Sequence, residues 1–124
     1  MNAEFWEYLQ RLVETSRIVL DRPKGSIHPR FGSQVYPVAY GYLDSTTAAD
    51  GAGVDIWVGS LGAMTVVGAL CTVDLLKRDT ELKILYDCTA EEIAFILHFM
   101  NSTDMRVYHL KRETIEERRN DVDI

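Results

Sequence analysis

Between residues 36 and 60 the chain reads Tyr-Pro-Val-Ala-Tyr-Gly-Tyr-Leu-Asp-Ser-Thr-Thr-Ala-Ala-Asp-Gly-Ala-Gly-Val-Asp-Ile-Trp-Val-Gly-Ser, and no other stretch constrains the fold as much. Alternation over Tyr36 to Leu43 predicts a strand with Tyr36, Val38, Tyr40 and Tyr42 on one face. A small-residue loop follows, in which Asp50 and Asp55 bracket Gly51-Ala52-Gly53. Glycine carries no Cβ penalty at positive φ, so the backbone can turn tightly between the two acids. Asp55 then opens a second strand, Val54 to Val58, and shares a face with Trp57. Two convergent carboxylates without a nearby Cys or His describe a hard-cation site, with Mg²⁺ or Mn²⁺ the usual occupant. A glycine-rich hairpin with merely solvated acids is the bland alternative, because short acid-glycine patterns arise by chance.

The pattern Tyr36-Pro37-x-x-Tyr40-Gly41-Tyr42, followed by Asp50-Gly51-x-x-Val54-Asp55-Ile56-x-Val58, resembles the core of the soluble (family I) inorganic pyrophosphatases. Those enzymes carry Asp-Gly-Asp-Pro-hydrophobic-Asp and cleave pyrophosphate with Mg²⁺. The first and third acids match as Asp50 and Asp55, while Ala52 replaces the middle one, which in the family helps position and deprotonate the attacking water. The resemblance covers roughly residues 17–101. It implies a mainly β fold with added α, a small five-stranded OB-like closed β-barrel with an N-terminal and a C-terminal helix.

By the same resemblance, Asp21-Arg22-Pro23-Lys24-Gly25-Ser26 is similar to the family's Glu-x-Pro-Lys-Gly-Ser, and Tyr36 and Tyr40 occupy positions near the site. Glu81-Leu82-Lys83 fits an Asp-x-Lys that supplies a metal ligand and a phosphate-binding lysine. Elsewhere the match fails. A family lysine and glutamate fall on Pro29 and Phe31, beside which His28 and Arg30 are candidate replacement cations. The next hairpin, with a phosphate-binding arginine, has no counterpart, since only Gly32 to Val35 precede Tyr36. A Tyr-Lys pair falls on Phe99-Met100, which has neither hydroxyl nor charge.

The remaining chain supports one domain over residues 1–124: an N-terminal helix in 1–16, a barrel plus helix in 17–110 and a charged tail in 111–124. Phe5, Tyr8, Leu9, Leu12 and Val13 recur at helical spacing. Arg17 to Leu20, Met64 to Val73, Glu81 to Asp87 and Met105 to Leu110 read as further strands. Thr89 and Glu92 form a Thr-x-x-Glu capping box ahead of a helix to Met100. A chain of 124 residues suits a single core. Its formal charge of −6 argues against a general nucleic-acid binder. No apolar run reaches membrane-span length, and Met1 to Glu7 is not a signal peptide. Cys71 and Cys88 lie in apolar stretches without metal-ligand spacing, which points to buried thiols and a cytoplasmic setting.

Phosphoanhydride hydrolysis needs a divalent cation, groups that meet the phosphate charge, and an activated water. Asp50, Asp55 and Glu81 are the candidate metal ligands. Tyr36, Tyr40, Lys83, Lys24 and Arg30 are the candidate phosphate ligands. No residue is assigned to water activation. The expected function is Mg²⁺-dependent hydrolysis of pyrophosphate or a related small phosphate compound, with homo-oligomerisation left open. The alternative is a catalytically degenerate module that binds a metal and a phosphate or nucleotide.

Overall fold

The computed structural model describes residues 3–113. Helix α1 (Ala3–Glu14) is followed by strands β1 (Ile18–Arg22), β2 (Ala39–Leu43), β3 (Val54–Val58), β4 (Val66–Asp74) and β5 (Asp79–Tyr86), then helix α2 (Ala90–Met100) and strand β6 (Met105–Lys111). Of the charged tail expected over 111–124, Lys111 closes β6 and residues 114–124 lie outside the described residues. No helix among the described residues is long and apolar enough to cross a membrane.

The six strands form one mixed sheet in the order β1-β2-β3-β5-β4-β6. Every neighbouring pair is antiparallel except β3 with β5. The expected closed five-stranded barrel is therefore incorrect. The sheet is open, and β1 and β6 stand at its opposite edges without pairing to each other.

The physical reason lies in the core. Alternate residues of the central strands face two separate apolar layers. Ile56, Ala69 and Ile84 join Trp6, Leu9 and Val13 of α1 on one face. Trp57, Leu70 and Leu85 join Ile96 and Met100 of α2 on the other. A barrel fills its interior with side chains from its own facing strands; here a helix covers each face, so closure would leave no room for one of them.

Both helices form for local reasons. Trp6, Leu9 and Val13 make one buried stripe on α1, with Glu4, Glu7 and Glu14 turned to solvent. At the start of α2 the capping box is complete: Glu92 N–H donates to Thr89 Oγ1 at 3.1 Å, and Thr89 N–H to Glu92 Oε1 at 2.8 Å.

Strand β2 is shorter than the alternation predicted. Tyr36 bonds instead to the preceding hairpin, donating its N–H to Ser26 O at 2.9 Å and accepting from Gly25 N–H at 2.8 Å. Ile27 bridges Val35, so residues 25–36 fold back on themselves and carry His28 to Phe31 at the tip.

Candidate active site

Strand register assembles the polar cluster. Tyr42 lies opposite Asp55 and Asp55 opposite Lys83; Tyr40 lies opposite Trp57 and Trp57 opposite Leu85. Side chains at paired positions share a face, so Tyr40, Asp55 and Lys83 all project toward the α2 side, and Glu81 joins them two residues before Lys83.

Lys83 is almost completely buried. Its Nζ donates to Tyr40 Oη at 2.7 Å, Asp55 Oδ2 at 2.8 Å and Glu81 Oε2 at 3.0 Å. These use all three ammonium donors. Burial opposes the charge, but Tyr40 and Asp55 outweigh it and push the Lys83 pKa above its ordinary value. Burial raises the Tyr40 pKa in turn, against the pull of Lys83. At neutral pH Lys83 is thus an ammonium and Tyr40 a neutral phenol.

Asp50 stands at the turn before β3. Gly51 has the left-handed φ of 85° that favours glycine. Gly53 is required for a different reason than its expected flexibility: a Cβ there would come 2.9 Å from the Tyr42 ring. Asp50 Oδ1 accepts Ala52 N–H at 3.0 Å. That bond, with a hydrogen bond shared with Glu81, holds the Asp50 carboxyl below its ordinary pKa.

The three acids thus form a chain, Asp50 to Glu81 to Asp55, with Lys83 between the last two. Among the described residues no group of three or more His, Cys, Asp or Glu is arranged to hold a metal ion by itself. Magnesium, however, is usually held by one or two carboxylates together with substrate phosphates and water. Asp50 and Glu81 offer two such carboxylates. The Asp50–Glu81 hydrogen bond holds one proton; a divalent cation that displaces it meets three acids and one ammonium, a formal charge of −2. The donor set fits Mg²⁺ arriving with a phosphate ligand and does not fit an all-protein cage.

Tyr40, Glu81 and Lys83 line an open cavity of about 640 Å³. Arg30, Lys77 and Asp74 also border it, and Arg30 enters no ion pair among the described residues. One wall is aromatic. His28 stacks on Tyr36 with ring centroids 5.8 Å apart and planes within 3°. Tyr36 lies 4.9 Å from Phe99, and Tyr40 4.5 Å from Trp57.

His28 is fixed in its turn, because its Nδ1 accepts Arg30 N–H at 3.1 Å and Phe31 N–H at 3.3 Å. Burial, then Arg22 and Arg30, lower its pKa, so the ring is neutral with its proton on Nε2. The Trp57 indole N–H is buried without an acceptor among the described residues; that of Trp6, in the other layer, shares this state, so it is no mark of the cavity.

Of the sequence candidates, Tyr36, Tyr40, Glu81, Lys83 and Arg30 border this cavity. Asp55 is joined to it through Lys83, and Asp50 through Glu81. Lys24 is elsewhere, lining a separate cavity with Glu91, Glu92 and Phe95. Sequence reasoning missed the wall built by Phe31, Trp57 and Phe99. The signal available was the Asp55–Trp57 alternation, which puts that indole on the acid's face.

No protein-family model matches the chain, and no curated protein matches it in sequence. Solved structures do. An inorganic pyrophosphatase from Coxiella burnetii is similar with a TM-score of 0.58 at 16% identity, over 85% of this chain and 90% of that one. An inorganic phosphatase from Anaplasma phagocytophilum gives 0.54 at 20% identity, over 76% and 81% of the two chains. The inorganic pyrophosphatase of Helicobacter pylori gives 0.57 at 19% identity, over 80% and 84%. At such identities the likeness is one of fold.

Proposed function

We propose that this chain binds a small phosphoanhydride, pyrophosphate or a related compound, as its magnesium salt in the Lys83 cavity, and hydrolyses it slowly. The observation that carries this is the Tyr40–Asp55–Glu81–Lys83 cluster at the base of an open cavity, on a fold shared with inorganic pyrophosphatases. Fold alone assigns no activity; the cluster supplies the chemistry.

Asp50 and Glu81 would hold the cation, Mg²⁺ or Mn²⁺, alongside the ligand's own oxygens. When bound, it neutralises phosphate charge and polarises the anhydride. Arg30 meets the remaining negative charge. Lys83 supplies a fixed positive field, because its partners hold it protonated and in place. The Tyr40 phenol, kept neutral, can turn its proton toward a phosphate oxygen. Asp55 anchors Lys83. The methyl group of Ala52 offers no base for the attacking water, so slow turnover is expected. The protein would work in the cytoplasm, a setting that its two free thiols suit.

Binding without turnover is the second reading. One observation favours it: Lys83 has no donor left over for a phosphate. Measuring phosphate release from pyrophosphate, with and without Mg²⁺, beside calorimetric binding, separates the two. Slow Mg²⁺-dependent release supports the hydrolase. Binding with no release selects the second reading, and absence of binding defeats both.

A further inference from the structure

The cavity is built for more than a bare anion. Pyrophosphate is small and wholly polar, and it would leave the aromatic wall in water. Phe31 is 54% exposed at that wall, and Leu76, which also lines the cavity, is 72% exposed. Where the pyrophosphatase resemblance expects a lysine, a glutamate and a Tyr-Lys pair, this chain places Pro29, Phe31, Phe99 and Met100, and all four line the cavity. Charge has been exchanged for apolar side chains at these four positions, while Glu81 and Lys83 bring polar groups to the same cavity.

Resting on the phosphoanhydride reading above, we propose that the ligand is a nucleoside diphosphate, its base lying against the Phe31–His28–Phe99 wall and its magnesium-bound phosphates toward Asp50, Glu81 and Arg30. The volume, about 640 Å³, is in the range of cavities that enclose molecules of nucleotide size. His28 lies within ring-contact distance of both phenylalanines: centroids are 5.0 Å apart for His28–Phe31 and 6.5 Å for His28–Phe99. Every base has a π-face that can stack on such a surface. The hairpin bonds to His28 Nδ1 hold that ring in place before any ligand arrives. Gln34 and Thr103 also border the cavity and make no side-chain hydrogen bond among the described residues, leaving an amide and a hydroxyl for ribose or base edges.

Calorimetry on the full chain in Mg²⁺ tests this with ADP, GDP, pyrophosphate and adenosine as probes. Stacking of one base should make the better nucleoside diphosphate bind roughly ten-fold or more tighter than pyrophosphate. Phe31→Ala should erase that advantage and leave pyrophosphate affinity unchanged. Phe31 is exposed enough for the variant to fold, and circular dichroism checks that it does. Pyrophosphate binding as tightly as both nucleotides would overturn the nucleotide assignment while leaving the phosphoanhydride reading intact. So would an unchanged nucleotide advantage in folded Phe31→Ala. Adenosine binding as tightly as ADP would overturn the assignment by showing that the phosphates contribute nothing. Failure of every phosphate compound to bind would remove the underlying reading and this one with it.

Discussion

Lys83 Nζ lies 2.8 Å from Asp55 Oδ2, across the one parallel strand pair among the described strands. Glu81 Oε2 is 3.0 Å from the same nitrogen. The lysine therefore sits where a second cation would otherwise be drawn, and it sets the electrostatics of the whole cavity. Its charge partners are largely withdrawn from solvent, so their attraction is screened less than that of a surface pair.

Removing the ammonium exposes this dependence. In Lys83→Met, Asp55 and Glu81 face each other without a counter-charge. Breaking a buried pair costs about 3 kcal/mol at the lower end, which fits carboxylates that keep some solvent contact. Urea unfolding should show a loss of that order. Millimolar Mg²⁺ should recover more stability in the variant than in the parent, because the cation can replace the ammonium. Equal Mg²⁺ effects on the two proteins would mean that Asp55 and Glu81 do not converge on a cation.

Asp87 carries a structural load at the end of β5. One carboxylate oxygen accepts the N–H groups of Ala63 and Thr65, each at 3.1 Å, and the other accepts Gly62 N–H at 3.2 Å. The side chain is buried. Asp87→Ala should destabilise the fold by about 1–3 kcal/mol, since three donors lose their acceptor. Metal and phosphate affinities, measured on the folded fraction, should hold. A change in ligand affinity at unchanged stability would instead tie Asp87 to the cavity.

Asp87 also shows what the sequence can and cannot disclose. Alternation places it with Glu81, Lys83 and Leu85, but its φ of 56° takes it out of the strand and turns its carboxylate onto the 62–65 loop. Aspartate tolerates that conformation, yet nothing in the local pattern demands it. Alternation does disclose that Asp55 goes with Trp57 and Glu81 with Lys83. The parallel contact between β3 and β5, which joins those pairs, is a tertiary choice with no local mark. Barrel closure is equally non-local, depending on whether β1 and β6 meet. The α2 stripe was legible because 3.6-residue periodicity is written within one segment; on α1 the same periodicity gave the helix but not its buried face, since Phe5, Tyr8 and Leu12 are exposed and Trp6 is buried with Leu9 and Val13.

The alkaline limit of stability should report the same cluster. Ordinary pKa values are 10.0 for Tyr40 and 10.5 for Lys83, and the fold raises both. Above those values the unfolded chain has lost protons that the native state still holds, so stability falls as pH rises. The stability from Lys83 is fully present below its unfolded pKa and is lost as pH climbs toward the raised native one. Tyr40→Phe removes the phenol's share. Its urea midpoint should therefore fall less steeply than the parent's between about pH 9.5 and about pH 11. Parallel slopes for the two proteins would contradict a raised Tyr40 pKa.

Ala52 decides whether catalysis is weak or absent. It lies exposed in the turn, and its N–H already fixes Asp50 Oδ1 at 3.0 Å. Its φ lies outside the left-handed region, so an aspartate can replace it without backbone strain. The new carboxylate would stand in the same loop as Asp50 and Asp55, where a base could accept a proton from the attacking water. General-base assistance is worth roughly a hundred- to ten-thousand-fold in rate. Ala52→Asp should therefore raise Mg²⁺-dependent phosphate release by at least the lower figure, with tighter Mg²⁺ binding from the added charge. If Ala52→Asp binds Mg²⁺ more tightly but remains inert, the apolar replacements at Pro29, Phe31, Phe99 and Met100 are the deeper cause and binding without turnover is the function. If the unmodified chain already works at an ordinary enzymatic rate, a group other than residue 52 activates the water. His28 is poorly placed for that task, since the one lone pair of its Nδ1 is shared between the Arg30 and Phe31 N–H groups and Nε2 carries the proton. Asp50, with one oxygen free of the backbone, would then be the first residue to replace by asparagine.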